Sequence, residues 1–356
     1  MLNFTVGPVM SFEDTLRISS ESSPYFRTQD FSDVVLGCES RMLALLNAPA
    51  GSRCVFLTAS GTGAMEATVM GVLKPNEHVA VVNGGSFGQR FVDLCRLHGH
   101  EVNEIALAFG TQITLDRLES CVGAECGALL VNMHETSSGL LYDMDLISSF
   151  CRERGILLIV DAVSAFIADV LDMSRLSADV VLTGSQKALA CHPGISIIAL
   201  SPKAQNRVCS IPERCKYLSL KEALSNGERG QTPWTPAVTT ILEIADRLKN
   251  IERTGIEDER NRISERAKAV RLALAETSLR MVPQHPSNAV SAFYCPSHNA
   301  KAVIDKARET YGIWLCPNGG AYADDVFRIG HIGNISDENN RYLTKVLISM
   351  RKDGLY

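Results

Sequence analysis

The chain has 356 residues, 46% hydrophobic and 21% charged, with a formal net charge of −5. The length predicts two unequal domains, at 1–240 and 241–356, and the composition excludes a disordered chain. The negative balance gives no electrostatic basis for binding nucleic acid or an acidic membrane surface.

Eleven cysteines are scattered without a CxxC pair, so neither a disulfide framework nor a metal site is expected. There is no run of 18 apolar residues and no basic segment leading into an apolar one, and the expectation is a cytoplasmic protein.

The first forty residues contain no clear strand–helix unit and are expected to pack back across the larger domain. From about 50 to 200, short β-branched runs alternate with helical patterns, which predicts βα units around a mainly parallel sheet. CVFLTA (54–59) reads as a strand, and the helix at 63–73 stops at Lys74-Pro75-Asn76. HVAVVN (78–83), GALLVNM (127–133), ILLIVDAV (156–163) and ADVVLTG (178–184) continue the series, with helices over 88–99 and 143–155. Strands this uniformly apolar need cover on both faces. ISIIAL (195–200) is a further strand, and 203–235 reads as a polar segment. Helices at 237–254 and 256–277 lead to NAVSAFY, a helix at 299–311, GIWLC, VFRIGH and a helix at 337–351, a smaller α+β domain.

In an open parallel sheet, ligands bind beyond the carboxyl ends of the strands, so the residues there carry the functional question. After the first strand, Ser60, Gly61, Thr62 and Gly63 open a helix, where free N–H groups, the helix dipole and two hydroxyls suit a phosphate. A simple tight turn has the same sequence. Asp161 follows ILLIV. It reads as a helix cap, except that a buried carboxylate needs a cation or donor and no basic residue lies between 157 and 174. Lys187 follows ADVVLTG in nearly uncharged, apolar surroundings, which lower an amine's pKa and make it a nucleophile toward carbonyls. A phosphate loop, a carboxylate and a desolvated lysine on one rim match the demands of pyridoxal phosphate.

With these residues in view, the chain resembles the class V aminotransferases of fold type I, in the branch of the alanine:glyoxylate, serine:pyruvate and 2-aminoethylphosphonate:pyruvate enzymes. The resemblance runs from TVGPV (5–9) to VFRIGHIG (326–333), through ASGTGAMEA, GGSFGQR, HETSSGLLYD, VDAVSA and TGSQKALACHPG in that order. It implies a large α/β domain with a mainly parallel sheet, a smaller C-terminal α+β domain, and a ping-pong transfer from a small amine donor to a 2-oxo acid. Lys187 is implied as the lysine that carries the cofactor and moves the proton, and Asp161 as the partner of the pyridine nitrogen. Val163 and Phe87 would pack on the two ring faces, Gly61, Thr62 and Gln186 would hold the phosphate, and Thr136 the ring hydroxyl side. Thr235 would reach the phosphate of a neighbouring subunit, which implies a homodimer.

Arg328 matches the arginine that binds the substrate carboxylate, and Gly7 lies in the segment lining the substrate entrance. Arg27, among aromatics in PYFRTQDF, is either a second anion site or an ion pair at the dimer surface. Alanine, serine, glycine or 2-aminoethylphosphonate as donor, and pyruvate or glyoxylate as acceptor, stay open. The alternative on the same fold is a cysteine desulfurase or lyase, with Cys316 as its reactive cysteine.

Overall fold

The structure is a computed structural model that describes residues 1–356. The chain opens with β1 (Leu2–Asn3), α1 (Glu13–Ser19) and α2 (Gln29–Leu45). The βα series then runs β2 (Arg53–Thr58), α3 (Gly61–Val72), β3 (His78–Asn83), α4 (Ser86–Leu97), β4 (Glu101–Ala106), α5 (Leu115–Cys121) and β5 (Ala128–Asn132). A short ribbon, β6 (His134–Glu135) and β7 (Leu140–Leu141), precedes α6 (Met144–Arg154), β8 (Leu157–Asp161), β9 (Val180–Gly184) and β10 (Ile195–Leu200).

These strands form a seven-stranded sheet in the order β2-β10-β9-β8-β5-β3-β4. Only β10 runs antiparallel to its neighbours; the other pairings are parallel. Alternate residues serve opposite faces, as the pleat requires. Val55, Val79, Leu130, Ile159 and Leu182 pack under α3 and α4, whereas Phe56, Val82, Leu129, Val160 and Val181 join the core beneath α2 and α6. Two-sided burial explains the absence of polar alternation in these strands. β4 is the exception. As an edge strand it carries Glu101, Asn103 and Glu104, and this polar pattern hid it from the sequence reading.

The stretch read as polar holds two further helices, α7 (Pro202–Ser210) and α8 (Leu220–Gly227), whose N-termini are capped by the hydroxyls of Ser201 and Ser219. α9 (Val238–Thr254) presents Ile241, Ile244, Leu248 and Ile251 at helical spacing to the larger core. α10 (Ile256–Leu274) spans both units: Ile263 joins the larger core, and Val270 and Leu274 join the smaller one. The smaller unit follows with β11 (Arg280–Met281), β12 (Val290–Tyr294), α11 (Ala300–Tyr311), β13 (Ile313–Trp314), β14 (Cys316–Pro317), β15 (Val326–Gly330) and α12 (Asp337–Lys352). Its antiparallel sheet has the order β11-β12-β15-β14.

The N-terminal segment departs from expectation. β1 pairs in parallel with β13, the Phe4 carbonyl oxygen accepts from Gly330 N at 2.7 Å, and Phe4 is fully buried in the smaller core. Residues 2–4 therefore belong to the C-terminal unit, while α2 packs on the larger one. GIWLC is likewise not one buried strand: β13 is two residues long and Trp314 is 45% exposed. No helix is long and apolar enough to cross a membrane.

Candidate active site

The carboxyl ends of β2, β5, β8 and β9 converge on a cavity of about 520 Å³. Asp161 is the last residue of β8 and stands in register with Asn132, the last of β5. The Asn132 amide donates to Asp161 Oδ2 at 2.6 Å, and the Val163 N–H donates to Oδ1 at 2.8 Å. Neither partner is a cation. Burial pushes the carboxyl up to about 6, against the pull of these two donors.

Lys187 lies three residues beyond β9, on a loop held from several sides. Ala190 N donates to the Lys187 carbonyl oxygen at 2.8 Å, and Ser185 Oγ donates to the His192 carbonyl oxygen at 2.7 Å. Glu243, buried on α9, accepts from His192 N and pairs with its Nδ1, both at 2.8 Å. The lysine side chain is buried, and its Nζ donates to the Val6 carbonyl oxygen at 2.6 Å. Burial lowers the amine to about 8; nearby Asp161 opposes the shift, and Arg328 and Arg90 reinforce it.

At the end of β2, Ser60 caps α3 by accepting from Gly63 N. Gly61 is needed for close approach: a Cβ there would lie 3.1 Å from Val163 Cγ2. Gln186 Oε1 is buried without a hydrogen-bond partner. Across the cavity, Phe87 sits in the first turn of α4. The buried Glu135 carboxylate receives the Phe87 and Gly88 N–H groups at 3.2 and 2.9 Å and so caps that helix from a distant strand. Thr136 Oγ1 bonds Ser164 Oγ at 2.8 Å.

The structure therefore gathers Gly61, Thr62, Phe87, Thr136, Asp161, Val163, Gln186 and Lys187 around one cavity. Gly7 lies against the Lys187 side chain. Arg328 adjoins this group: its Nη1 donates to the Thr136 carbonyl oxygen at 3.1 Å and Nη2 to that of Pro317 at 2.5 Å, while Nε is buried without an acceptor.

Two expected residues are not brought into the cavity. Arg27 donates to Gln231 Oε1 and to the carbonyl oxygens of Thr232 and Pro233 and lies over the Phe26 ring, so its charge is spent on fixing the 231–233 loop. Within this chain Arg27 does not line the cavity as a second anion site would, and its intrachain partners are all neutral acceptors. Thr235 is exposed, beside a separate hollow lined by Phe56 and Tyr217. Cys316 is fixed in β14, opposite Arg328 in the ladder, and not on a mobile loop.

Three polar cavity residues escaped the sequence reading although their motifs were quoted. Arg90 stands one helical turn after Phe87, and that spacing was the available signal. Ser164 follows Val163 directly. His134 is fully buried with both ring nitrogens unpartnered, and burial beside Lys187 and Arg328 lowers it to about 3, so it is a neutral imidazole.

The seven-stranded sheet with a single reversed strand, the smaller C-terminal sheet and the cavity at the strand ends are those of a fold type I transferase. The aspartate aminotransferase of subgroup IV from Thermus thermophilus superposes with a TM-score of 0.93 over 99% of both chains at 26% identity. Residues 16–321 match the model of the family described as aminotransferase class V, and the chain belongs to that family. It is 30% identical over 294 residues to the L-aspartate–glyoxylate aminotransferase of Paracoccus denitrificans, covering 80% of this chain and 74% of the relative. It is also 29% identical over 342 residues to the soluble hydrogenase 42 kDa subunit of Anabaena cylindrica, covering 94% of this chain and 88% of that one.

The cofactor of this aminotransferase is pyridoxal 5′-phosphate, and the cavity fits it on its own chemistry. A buried carboxylate faces it without a cation, the Gln186 and His134 polar atoms lack partners, and a buried amine stands opposite.

Proposed function

We propose that the chain moves an amino group from a small donor with an α-carboxylate to a 2-oxo acid, with glyoxylate as acceptor. The observation that carries the reading is that Asp161 at the end of β8 and Lys187 beyond the neighbouring β9 share one cavity with the N-terminus of α3. The bound cofactor supplies an aldehyde and an electron-withdrawing ring. Lys187 Nζ, half neutral at pH 8 where a free lysine is almost wholly charged, is the group that joins the aldehyde and afterwards carries the proton to and from the substrate α-carbon. The Asp161 carboxylate, held by Asn132 and Val163 N, keeps a ring nitrogen protonated.

Phe87 and Val163 hold the ring between them, Gly61, Thr62 and Gln186 receive the phosphate, and Thr136 with Ser164 faces the ring hydroxyl. Arg328 takes the substrate carboxylate through donors that include the unpartnered Nε–H. Gly7 and Val6 close the cavity over the amine.

The Paracoccus relative is named for aspartate and glyoxylate, which supports the acceptor and adds aspartate to alanine and serine among the α-carboxylate donors to test, with 2-aminoethylphosphonate as the donor that lacks one. A homodimer belongs to this reading, because Thr235 is exposed and free to serve a neighbour's phosphate. A reducing, cytoplasmic location agrees with eleven cysteines that form no disulfide.

The test is a half-reaction screen in which the holoenzyme is mixed with each donor alone and the loss of its visible absorbance is followed. Amino acids should react far faster than ethylamine. Equal rates would remove the role given to Arg328, and release of sulfide from cysteine would replace the transfer reading.

A further inference from the structure

Arg90 is the cation of the cavity that has no task in the mechanism above. It stands on α4 and lines the same wall as Phe87. Its Nη1 donates to Thr62 Oγ1 at 2.9 Å, and its guanidinium carbon lies 4.8 Å from the centre of the Phe87 ring. Neither contact is with a carboxylate, and Arg90 takes part in no ion pair. A guanidinium keeps its charge and has five N–H donors, of which this hydroxyl accepts one. A cation held at a cavity wall without a counter-ion is a place for an anion.

The position of the held hydroxyl says which anion. Thr62 is the second residue of α3, so Arg90 is anchored where the helix presents its free N–H groups and positive end. Because Thr62 Oγ1 accepts from Arg90, its own proton is left to donate, and the bond from a cation polarises it toward doing so.

We propose that Arg90 is the counter-charge for the cofactor phosphate at the N-terminus of α3, with Thr62 as the pivot that holds its guanidinium over Phe87. The assignment rests on the phosphate end of the cofactor lying at α3. The guanidinium then neutralises the phosphate directly from its place over Phe87. Lys187 cannot share that work, since its amine is committed to the aldehyde.

The test compares two ligands on apoprotein, pyridoxal 5′-phosphate and pyridoxal, which lacks the phosphate. Dissociation constants come from the absorbance of the bound chromophore for the wild type, Arg90→Gln, Arg90→Lys and Thr62→Val. Arg90→Gln should weaken the phosphorylated ligand by about 10- to 100-fold and leave pyridoxal within about twofold, the range for one hydrogen-bonded charge. Arg90→Lys should recover part of the loss, and Thr62→Val should show a smaller loss with the same selectivity. Equal weakening of both ligands, or no change in either, would overturn the proposal. So would a loss confined to turnover of aspartate relative to alanine with the ligand ratio unchanged, which would move the guanidinium to the substrate. A wild-type apoprotein that binds neither ligand would overturn the cofactor itself, a failure distinct from one seen only in the variants.

Discussion

Gly7 lies so close to Lys187 that a Cβ at position 7 would fall 2.7 Å from Cδ and 3.0 Å from Nζ of the lysine. Its φ of +128° is also one that side-chain-bearing residues rarely adopt. Gly7→Ala should therefore displace either the N-terminal segment or the amine. The expected result is a stability cost of about 1–3 kcal/mol, with a fall in kcat larger than the change in KM. Urea unfolding and steady-state kinetics check it, and an alanine variant with normal kcat would mean that the segment yields freely.

The amine of Lys187 is held at about 8, against an ordinary value of 10.5. Only the neutral form attacks a carbonyl. The rate at which apoprotein captures the cofactor should thus rise about tenfold per pH unit below 8 and level off above it. Stopped-flow absorbance from pH 6 to 10 measures this. A rate still climbing at pH 10 would show that burial has not shifted the group. The same shift affects folding with a definite sign. The unfolded chain holds this proton up to 10.5 and the folded chain only to about 8, so the contribution of Lys187 to stability falls as pH drops through that window.

Arg328 donates to two carbonyl oxygens and keeps Nε–H without a partner. Arg328→Gln should lower kcat/KM for amino-acid donors by about 10²-fold, the worth of a charge-assisted pair. A donor without a carboxylate should be affected far less. Equal loss for both donor types would make Arg328 a structural link between β15 and the loop at Thr136.

Glu135 collects N–H groups from Phe87, Gly88 and Ser137 with no solvent access. Gly85 makes room for it, since a Cβ there would meet its Cδ at 2.7 Å. Glu135→Gln would turn an amide toward these donors and should cost about 2–4 kcal/mol. Urea unfolding reads the loss, which should be accompanied by weaker binding of pyridoxal, because the first turn of α4 carries Phe87.

The residues read most easily from the sequence were those just past an apolar strand. Asp161, Lys187 and Gly61 lie there because parallel strands deliver their ends to one edge. Direction is less visible: ISIIAL is as apolar as its neighbours, and nothing in its composition says that β10 runs backwards. The intrachain partners of Arg27 could not be read from the sequence, because two of its three acceptors are main-chain oxygens some 205 residues away, and any sequence supplies such oxygens. α7 and α8 were missed for a related reason. Their capping serines and short amphipathic turns lie within a polar average. Arg90, Glu135 and His134 lay inside motifs already singled out, but their partners come from other elements, and only the fold brings those together.

The attachment of β1 to β13 has a consequence for biosynthesis. The peptide that roofs Lys187 is synthesised well before its mooring, Ile313 and Trp314. During translation the lysine loop is thus complete long before its cover can be fastened. The roof over the amine is therefore in place only once these two segments, distant in sequence, have met.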